Sequence, residues 1–244
     1  MRVLVTGGAK RLGAAIARAV ADAGHVPVIH YGTSRGEAEA LATELGGTAV
    51  RGDLADLADV PALFARAADG GAIDGLVNSA SLFEYDAPAA PDHALAARLH
   101  AINVVAPSLL AAALAAQGRE GAVVNLLDQK LANPNPDFFS YTLSKAALAE
   151  ATVLMAQAFA PRVRVNAVAP GLTLPSGDQS AEEFDAVARA NLLQRPVGAS
   201  AVAEAVVWLL SAGSVTGQTV FVDCGQRFCA RDRDVMFEGR ADRG

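Results

Sequence analysis

The chain has 244 residues, 52% of them hydrophobic and 5% aromatic, which suits one large α/β domain with an aliphatic core. Its 20 basic and 26 acidic residues give a formal net charge of −6, so no basic excess can neutralise phosphates and we expect no nucleic-acid partner. The amino-terminal apolar run is too short for a signal peptide, and the longest apolar stretch, 104–116, is too short to span a bilayer; we expect a cytoplasmic protein with no membrane partner.

Short runs rich in Val, Leu and Ile alternate along the chain with stretches of helical periodicity. The predicted strands are 2–6, 26–30, 48–52, 74–80, 122–127, 162–170 and 219–223. The predicted helices are 11–23, 35–45, 56–69, 92–117, 137–160 and 199–212, and 171–184 is predicted to be a long loop entering a short helix. Strands of this composition are typical of a parallel sheet covered on both faces. We predict a single α/β domain over 1–244, with a doubly wound, seven-stranded parallel sheet and a tail at 224–244.

The segment TGGAKRLG, 6–13, follows the first predicted strand and precedes the first predicted helix. Gly7 and Gly8 can adopt backbone angles closed to other residues, and they leave no side chain between the turn and a ligand. Gly13 allows the helix to lie close to the sheet, and the unpaired N–H groups at a helix start favour an anionic phosphate. The spacing is longer than in the dinucleotide fingerprint G-x-G-x-x-G, so a tight turn without a ligand is the alternative.

The end of the second predicted strand, within VIHYGTSRGEAE, indicates which dinucleotide would bind there. An NAD-binding fold usually has an acidic residue at this point for the ribose 2′-hydroxyl, and this chain has none. Hydroxyls and a guanidinium attract a 2′-phosphate, whereas a carboxylate would repel it. NADP(H) is therefore predicted over NAD(H), with the alternative that Arg35 is only a solvated residue at a helix start. The donors and cations concerned are His30, Tyr31, Thr33, Ser34 and Arg35, with Arg11 from the glycine turn.

The segment YTLSK places Tyr141 and Lys145 four residues apart, on one face of a predicted helix. A neighbouring ammonium stabilises phenolate and lowers the pKa of the phenol, which prepares the pair for proton transfer beside a hydride acceptor. An ordinary amphipathic face can carry the same pair. The catalytic interpretation is favoured by three further features: the strand end NLLD, the segment NSAS at 78–81, and Asn103 in HAIN.

Together these motifs resemble the short-chain dehydrogenase/reductase family over the chain to about residue 225. Six features follow that family's order and spacing: the glycine turn, GDL at 52–54, NSA at 78–80, Asn103, YTLSK and APGLT at 169–173. The resemblance implies a Rossmann fold and NAD(P)H-dependent hydride transfer, with Tyr141 as acid/base, Lys145 binding the ribose and tuning Tyr141, and Asn103 supporting a proton-relay water. It implies cofactor contacts at Gly7, Lys10, Arg11, Leu12, Gly13, His30, Tyr31, Thr33, Ser34, Asp53, Leu54, Asn78, Ser79, Ala80, Ser81, Leu126, Tyr141, Lys145, Pro170, Gly171 and Leu172.

Asp128 stands where most members of the family carry a serine. An ionised carboxylate accepts hydrogen bonds from amino groups, and a carboxyl whose pKa is raised by burial donates a proton; either form suits a nitrogen heterocycle better than a ketone. The alternative is an impaired enzyme. The pteridine reductases of the family share this aspartate, but often carry an arginine where this chain has Thr33. By that resemblance the substrate contacts are Arg11, Phe83, Asp128, Tyr141 and Leu174, with Phe83 stacked over a pterin ring.

The chain end departs from the family pattern, with Cys224 in place of the usual glycine and an extension beyond it. In tetrameric pteridine reductases the chain end can reach a neighbouring subunit's site, so Arg231 is a candidate for that role, or else a surface arginine. The resemblance also implies a homotetramer, because helices corresponding to 92–117 and 137–160 commonly pack between subunits. No metal is predicted, because the histidines at 25, 30, 93 and 100 form no ligand pattern.

The sequence therefore predicts an NADPH-dependent oxidoreductase that reduces a C=N bond of a pterin or dihydrofolate-like ring, with protons from Tyr141 and Asp128. Two alternatives stay open. A generic carbonyl reductase or alcohol dehydrogenase of the same fold would turn over ketones or sugars and no dihydropterin. A non-catalytic NADP-binding regulator would bind the cofactor tightly without hydride transfer.

Overall fold

A computed structural model describes residues 1–175 and 181–237 of the chain. The strands in these residues are β1 (Arg2–Val5), β2 (Val26–Tyr31), β3 (Thr48–Arg51), β4 (Gly75–Asn78), β5 (Gly121–Leu126), β6 (Val163–Pro170) and β7 (Thr219–Val222). The α-helices are α1 (Arg11–Asp22), α2 (Arg35–Glu44), α3 (Val60–Ala68), α4 (His93–His100), α5 (Ala106–Ala116), α6 (Phe139–Phe159), α7 (Ala181–Ala188) and α8 (Ala199–Ser211).

The seven strands form one parallel sheet in the order β3-β2-β1-β4-β5-β6-β7. The order reverses at β1, which pairs with β2 on one side and with β4 on the other. In a doubly wound sheet, the ligand crevice lies outside the carboxyl ends of the strands at such a reversal. The glycine turn after β1 and the segment after β4 therefore lie side by side at the predicted cofactor site, and the predicted fold class is confirmed.

Both faces of the sheet are buried. Leu4 and Leu76 point to the face covered by α3 and α5, while their neighbours Val5 and Val77 point to the face covered by α1 and α8. Successive strand residues alternate between the faces, so a strand that is covered on both sides needs apolar residues at nearly every position. This burial explains why the strands lack a clean alternation of apolar and polar residues.

The predicted helix 92–117 differs most from the structure, because a π-helical segment, Ala101–Val105, separates α4 from α5. Its residues His93–Ala116 form the one described helix that is long and apolar enough to cross a membrane by length and composition. Leu99, Leu110 and Leu114 of that stretch are fully buried in the core, as expected for a core helix. The predicted helix 56–69 also begins later, at Val60, with Pro61 in its first turn. Of the predicted loop 171–184, residues 176–180 lie outside the described part of the chain.

Candidate active site

Tyr141 and Asp128 form a hydrogen-bonded pair beyond the carboxyl end of β5. Tyr141, in the first turn of α6, is buried, and its Oη donates to Asp128 Oδ2 across 2.9 Å. Asp128 follows β5 and caps a 3₁₀ turn, Gln129–Ala132, in which the Lys130 N–H donates to Asp128 Oδ1 at 2.8 Å. Both carboxyl oxygens of Asp128 are thus held, one by the backbone and one by the phenol.

Lys145 lies one turn after Tyr141 on α6, as the sequence predicted. Its ammonium is buried and donates to the carbonyl oxygen of Leu126 at 2.8 Å, while its Nζ lies 5.7 Å from the centroid of the Tyr141 ring. A lysine Nζ carries three donors, so donor capacity remains beside the bond to Leu126. Burial lowers the pKa of Lys145 to about 8.

The ionisation of Tyr141 differs from the sequence-based expectation, in which Lys145 lowers the pKa of the phenol. Burial of Tyr141 and the adjacent negative charge of Asp128 instead raise that pKa well above its ordinary value. Burial also raises the pKa of Asp128, although the hydrogen bonds from Lys130 N–H and Tyr141 oppose the shift. The direction differs because the Tyr141 hydroxyl donates to a carboxyl group, and the tuning of Tyr141 by Lys145 stays a prediction. The arrangement therefore presents a neutral phenol, which is a proton donor.

Asn103 lies in the π-helical segment, and its buried amide joins two parts of the site. Its Nδ2 donates to the Leu82 carbonyl and to Ser144 Oγ, both at 3.0 Å. Its Oδ1 accepts from Leu82 N–H at 2.8 Å and from Ser81 Oγ at 3.2 Å. All four hydrogen-bonding positions of the amide are used, so a relay water would have to be held by other groups. The side chain fixes the loop after β4 against α6, and Ser81 Oγ points to Asn103.

A residue that sequence analysis missed, Asp86, caps the helix that carries Tyr141. Phe138, just before α6, has a left-handed backbone with φ of 53°. The cap comes from the loop after β4: Asp86 Oδ1 accepts from Ser140 N–H at 2.8 Å, and Asp86 Oδ2 from Ser140 Oγ at 2.5 Å. The Asp86 carbonyl also accepts from Phe139 N–H at 3.1 Å. No local sequence signal identifies such a cap, because 54 residues separate donor and acceptor.

The glycine turn has the geometry expected for a phosphate site. Gly7 has φ of +61°, and a Cβ on it would lie 3.0 Å from Ala80 Cα; a Cβ on Gly13 would collide with the Gly7 carbonyl oxygen. The N-cap of α1, Lys10, makes no side-chain cap within the described structure, and its ammonium pairs with Glu37 at 2.6 Å. The first-turn N–H groups of α1 are therefore open to an anion. These residues fit the pyrophosphate of a dinucleotide cofactor.

His30 was predicted to contact the cofactor, and the structure gives it a different position. Its ring is buried, its Nδ1 accepts from Gly7 N–H at 3.1 Å, and its Nε2 faces the Gly52 carbonyl oxygen at 3.2 Å. Because an N–H must donate and a carbonyl must accept, the proton lies on Nε2. Burial lowers the pKa of His30 to about 4, so the ring is neutral near pH 7. His30 holds the glycine turn and does not offer a donor to a ligand.

Asn78, which was predicted to line the cofactor crevice, is the last residue of β4. Its buried side chain lies in the sheet, where Nδ2 donates to Asn125 Oδ1 at 2.8 Å. The neighbouring N–H groups of Ser79 and Ala80 donate to Thr6 Oγ1 at 3.0 and 3.1 Å. Thr6, which the prediction omitted, therefore ties the end of β1 to the end of β4. Asn78 Oδ1 has no hydrogen-bond partner among the described residues, so a cofactor contact by this side chain stays a prediction.

The other predicted cofactor residues lie in α1 or at and after the carboxyl ends of β2, β3 and β6. Ser34 is the N-cap of α2 and Arg35 pairs with Glu39 at 2.7 Å, while Asp53 Oδ1 accepts from Ala55 N–H at 2.9 Å. Tyr31 and Leu54 are buried, and Leu12 is half-buried in α1.

At the nicotinamide end predicted from the resemblance, Leu172 N–H donates to Gln226 Oε1 at 2.9 Å. Pro170 ends β6 and Gly171 follows it. Thr33 lies between β2 and α2.

A cavity of about 100 Å³ opens beside Asp128. Phe83, which is 42% exposed, contributes to its wall, stacks on Phe138 with 4.2 Å between ring centroids, and meets the Tyr141 ring edge-on at 4.7 Å. The structure thus brings three predicted substrate residues together. Of these three, Phe83 and Asp128 line the cavity, and Tyr141 contacts both without being among the described lining residues. Arg11 and Leu174 do not line it either: Arg11 donates to the Pro175 carbonyl at 2.6 Å, and Leu174 is half-buried beside it.

The described part of the tail lies on its own chain's cavity. Arg231 and Asp234 are among the lining residues, and Arg231 Nη2 donates to the Ala190 carbonyl at 3.0 Å. Residues 238–244 lie outside the described part of the chain, so the suggested reach of the tail into a neighbouring subunit stays a prediction. Among the described residues, no group of three or more His, Cys, Asp or Glu side chains could hold a metal ion.

Comparison with known proteins identifies the family. Residues 7–227 match a family model described as enoyl-(acyl carrier protein) reductase. The chain belongs to the short-chain dehydrogenase/reductase family. As a short-chain dehydrogenase/reductase it is an NAD(P)H-dependent oxidoreductase, as the sequence predicted.

Three relatives within the short-chain dehydrogenases/reductases carry further information. FolM alternative dihydrofolate reductase 1 from Brucella canis, solved with NADP, is 42% identical with a TM-score of 0.90, covering 96% of each chain. Its counterpart from Brucella suis, also solved with NADP, is 41% identical with a TM-score of 0.90, covering 94% of this chain and 96% of that one. Pteridine reductase 1 from Leishmania tarentolae is 31% identical, covering 91% of this chain and 94% of its own length. The predicted resemblance to pteridine and dihydrofolate reductases is confirmed, and the bound NADP supports the predicted cofactor.

Proposed function

We propose that the chain is an NADPH-dependent reductase of a C=N bond in a dihydropterin or dihydrofolate-like ring. The observation that carries this proposal is the hydrogen bond from Tyr141 to Asp128, at the wall of a cavity that Phe83 also lines. A carboxyl group at this point recognises amino and amide groups of a nitrogen heterocycle, and an exposed aromatic ring stacks on a flat bicycle. The activities named for the Brucella and Leishmania relatives support the same substrate class.

Reduction of a C=N bond needs a hydride at carbon and a proton at nitrogen. NADPH, when bound, supplies the hydride. In this proposal Tyr141 supplies the proton, since burial keeps its hydroxyl protonated and hydrogen-bonded to Asp128. Asp128 binds the heterocycle and, because burial raises its pKa, relays a proton to Tyr141 or to the ring. Lys145 holds the cofactor ribose, and Phe83 holds the ring by stacking.

The cofactor preference in this proposal is NADPH over NADH. The end of β2 carries no acidic residue, and Ser34 with Arg35 begins α2 at the point where a 2′-phosphate would approach. The glycine turn and the open first turn of α1 would hold the pyrophosphate. Arg11, which reaches the loop after β6, would lie between this phosphate and the substrate.

The test is NADPH oxidation measured with dihydrobiopterin, dihydromonapterin, dihydrofolate and a panel of ketones. Turnover of at least one dihydropterin and little turnover of ketones is the expected result. The variant Asp128→Ser should lose dihydropterin reduction while NADPH binding, followed by fluorescence, is retained. Full dihydropterin activity in this variant, or turnover of ketones alone by the natural chain, would contradict the proposal.

We also propose a cytoplasmic homotetramer. Leu143 and Leu154 on α6 are 54% and 55% exposed, and Trp208 on α8 is 51% exposed, although these side chains are large and apolar. Such side chains are common at subunit interfaces. Sedimentation equilibrium of the full chain should give the mass of four subunits; a monomer at micromolar concentration would contradict this part of the proposal.

A further inference from the structure

The chain turns back over the substrate cavity after β7. Two hydrogen bonds fix the beginning of the returning segment: Gln226 Oε1 accepts from Leu172 N–H at 2.9 Å, and the Cys229 carbonyl accepts from Asn133 Nδ2 at 2.6 Å. Farther along, Asp234 and Met236 contribute to the cavity wall. We call residues 226–237 the return segment.

Two acidic and two basic side chains anchor the distal half of the return segment. Lys130, on the 3₁₀ turn after Asp128, donates through Nζ to the Asp137 carbonyl at 2.6 Å and to Asp234 Oδ2 at 3.2 Å. Asp137 Oδ2 accepts from Asp234 N–H at 2.8 Å and from Arg233 Nε at 2.9 Å. The charges balance, and the Lys130 and Asp234 side chains are only 6% and 15% exposed. A buried charge needs its partner, so removal of either group leaves the other uncompensated.

Aromatic rings provide a second anchor. Phe237, in the return segment, packs against Phe138 with 6.0 Å between ring centroids and against Tyr85 at 5.3 Å. Phe138 is also the ring on which Phe83 stacks. The return segment thus supports, from behind, the aromatic group that lines the cavity.

We propose that Lys130 and Asp234 form a specificity-determining clasp, which holds the return segment as a fixed wall of the substrate cavity and limits the size of the ring substituent that can bind. The inference rests on the proposed function for the identity of the substrate. Lys130 is a positioning residue: its backbone N–H holds Asp128 while its ammonium holds the return segment. Lys130 therefore connects the return segment, which forms the cavity wall, to the carboxyl group of Asp128, which is proposed to bind the substrate.

The dimensions of the cavity support a limit on substituents. Its volume is about 100 Å³, whereas pockets for drug-sized ligands are typically ~300–1,000 Å³. A ring with a short side chain needs less room than one that carries an aryl-glutamate group. Release of the return segment should therefore favour the larger substrate, because it removes a wall of the cavity.

The first experiment tests the clasp without using activity. Limited trypsin digestion of the full chain is followed by intact mass, and the rates of cleavage after Arg231 and Arg233 are measured. These rates should rise about tenfold or more in Asp234→Asn, because cleavage follows the population of the released segment. Asp232→Asn is the matched control, since it removes the same charge from an exposed position two residues away. Equal cleavage rates in Asp234→Asn and the natural chain would overturn the clasp.

The second experiment tests the specificity role. The ratio of kcat/KM for dihydrofolate to kcat/KM for dihydrobiopterin should rise about tenfold in Asp234→Asn and stay constant in Asp232→Asn. Lys130→Met should behave in the same way, and the double variant should show no larger change than either single variant, because the two side chains act as one pair.

Three outcomes would contradict parts of this inference. Faster cleavage with an unchanged kcat/KM ratio would overturn the specificity role. Additive effects in the double variant would overturn the pairing of Lys130 with Asp234. Absence of turnover of both pterins by the natural chain would overturn the proposed function and the specificity role with it, while the cleavage rates would still decide the clasp.

Discussion

The Tyr141 hydroxyl donates to Asp128 Oδ2 across 2.9 Å, and burial raises the pKa of both groups. The Lys145 ammonium, which was expected to acidify the phenol, donates to a backbone carbonyl instead. The raised pKa of Tyr141 keeps its hydroxyl protonated under neutral conditions, as a proton donor requires.

Replacement of Tyr141 by Phe should reduce dihydropterin turnover at least ~100-fold, because the variant lacks the proposed proton donor. The phenyl ring would keep its edge contact with Phe83, so the affinity for NADPH should be retained. Steady-state NADPH oxidation and fluorescence titration measure the two quantities. Tyr85→Phe is the matched control, since it removes the same atom from a neighbouring ring outside the proposed catalytic pair. Unchanged turnover in Tyr141→Phe would exclude Tyr141 as the acid.

The burial of neutral His30 predicts a pH dependence of stability. The pKa of His30 is about 4 in the folded chain, below the ordinary 6.5, so the unfolded chain binds an extra proton between these values. Stability from this group is complete above about pH 6.5 and is lost as the pH falls to about 4, by up to ~3 kcal/mol. Urea unfolding from pH 4.5 to 7.5 should show this slope, and His30→Gln, which cannot titrate there, should flatten it. Parallel slopes for the two proteins would contradict this role of His30.

Asp86 should be important for both stability and activity, because it caps α6 from a distant loop. Asp86→Ala removes acceptors for two donors of Ser140 and should cost about 1–2 kcal/mol of unfolding free energy, together with a loss of turnover through displacement of Tyr141. Ser140→Ala keeps the backbone N–H bond and should have the smaller effect on both. Urea denaturation and kcat of the two variants decide the comparison; a larger effect of Ser140→Ala would argue against the cap.

Glu37 should weaken the preference for NADPH, because it pairs with Lys10 near the predicted 2′-phosphate site. Glu37→Gln frees the ammonium for the cofactor and should raise the NADPH-to-NADH ratio of kcat/KM roughly threefold, a small effect since both side chains are half exposed. Glu39→Gln is the control, because it breaks a similar exposed pair with Arg35 in the same helix. A fall in the ratio for Glu37→Gln would place the 2′-phosphate elsewhere.

The fold and the relative position of Tyr141 and Lys145 could be predicted because their signals are local. Apolar runs gave the strands, and the four-residue spacing of Tyr141 and Lys145 put both on one face of α6. The role of His30 could not be predicted, because its partners, Gly7 and Gly52, come from two other turns. The pKa of Tyr141 depends on the side to which the Lys145 ammonium turns, and the sequence does not contain that direction. The cap by Asp86 and the pair Lys130–Asp234 likewise join segments that only the folded chain brings together.

The π-helical segment Ala101–Val105 sets the rotational orientation of α5 relative to α4. A wider turn accommodates an extra residue, so α5 is rotated about its axis relative to α4 compared with an uninterrupted helix. Deletion of a single residue between 101 and 105 would restore regular winding and leave α4 and α5 close to their present relative orientation, because five residues of the wide turn cover about the same angle as four residues of an α-helix. The residues of the segment itself would change direction, and Asn103 would leave Leu82 and Ser144. The extra residue of the wide turn therefore aims the asparagine at its partners.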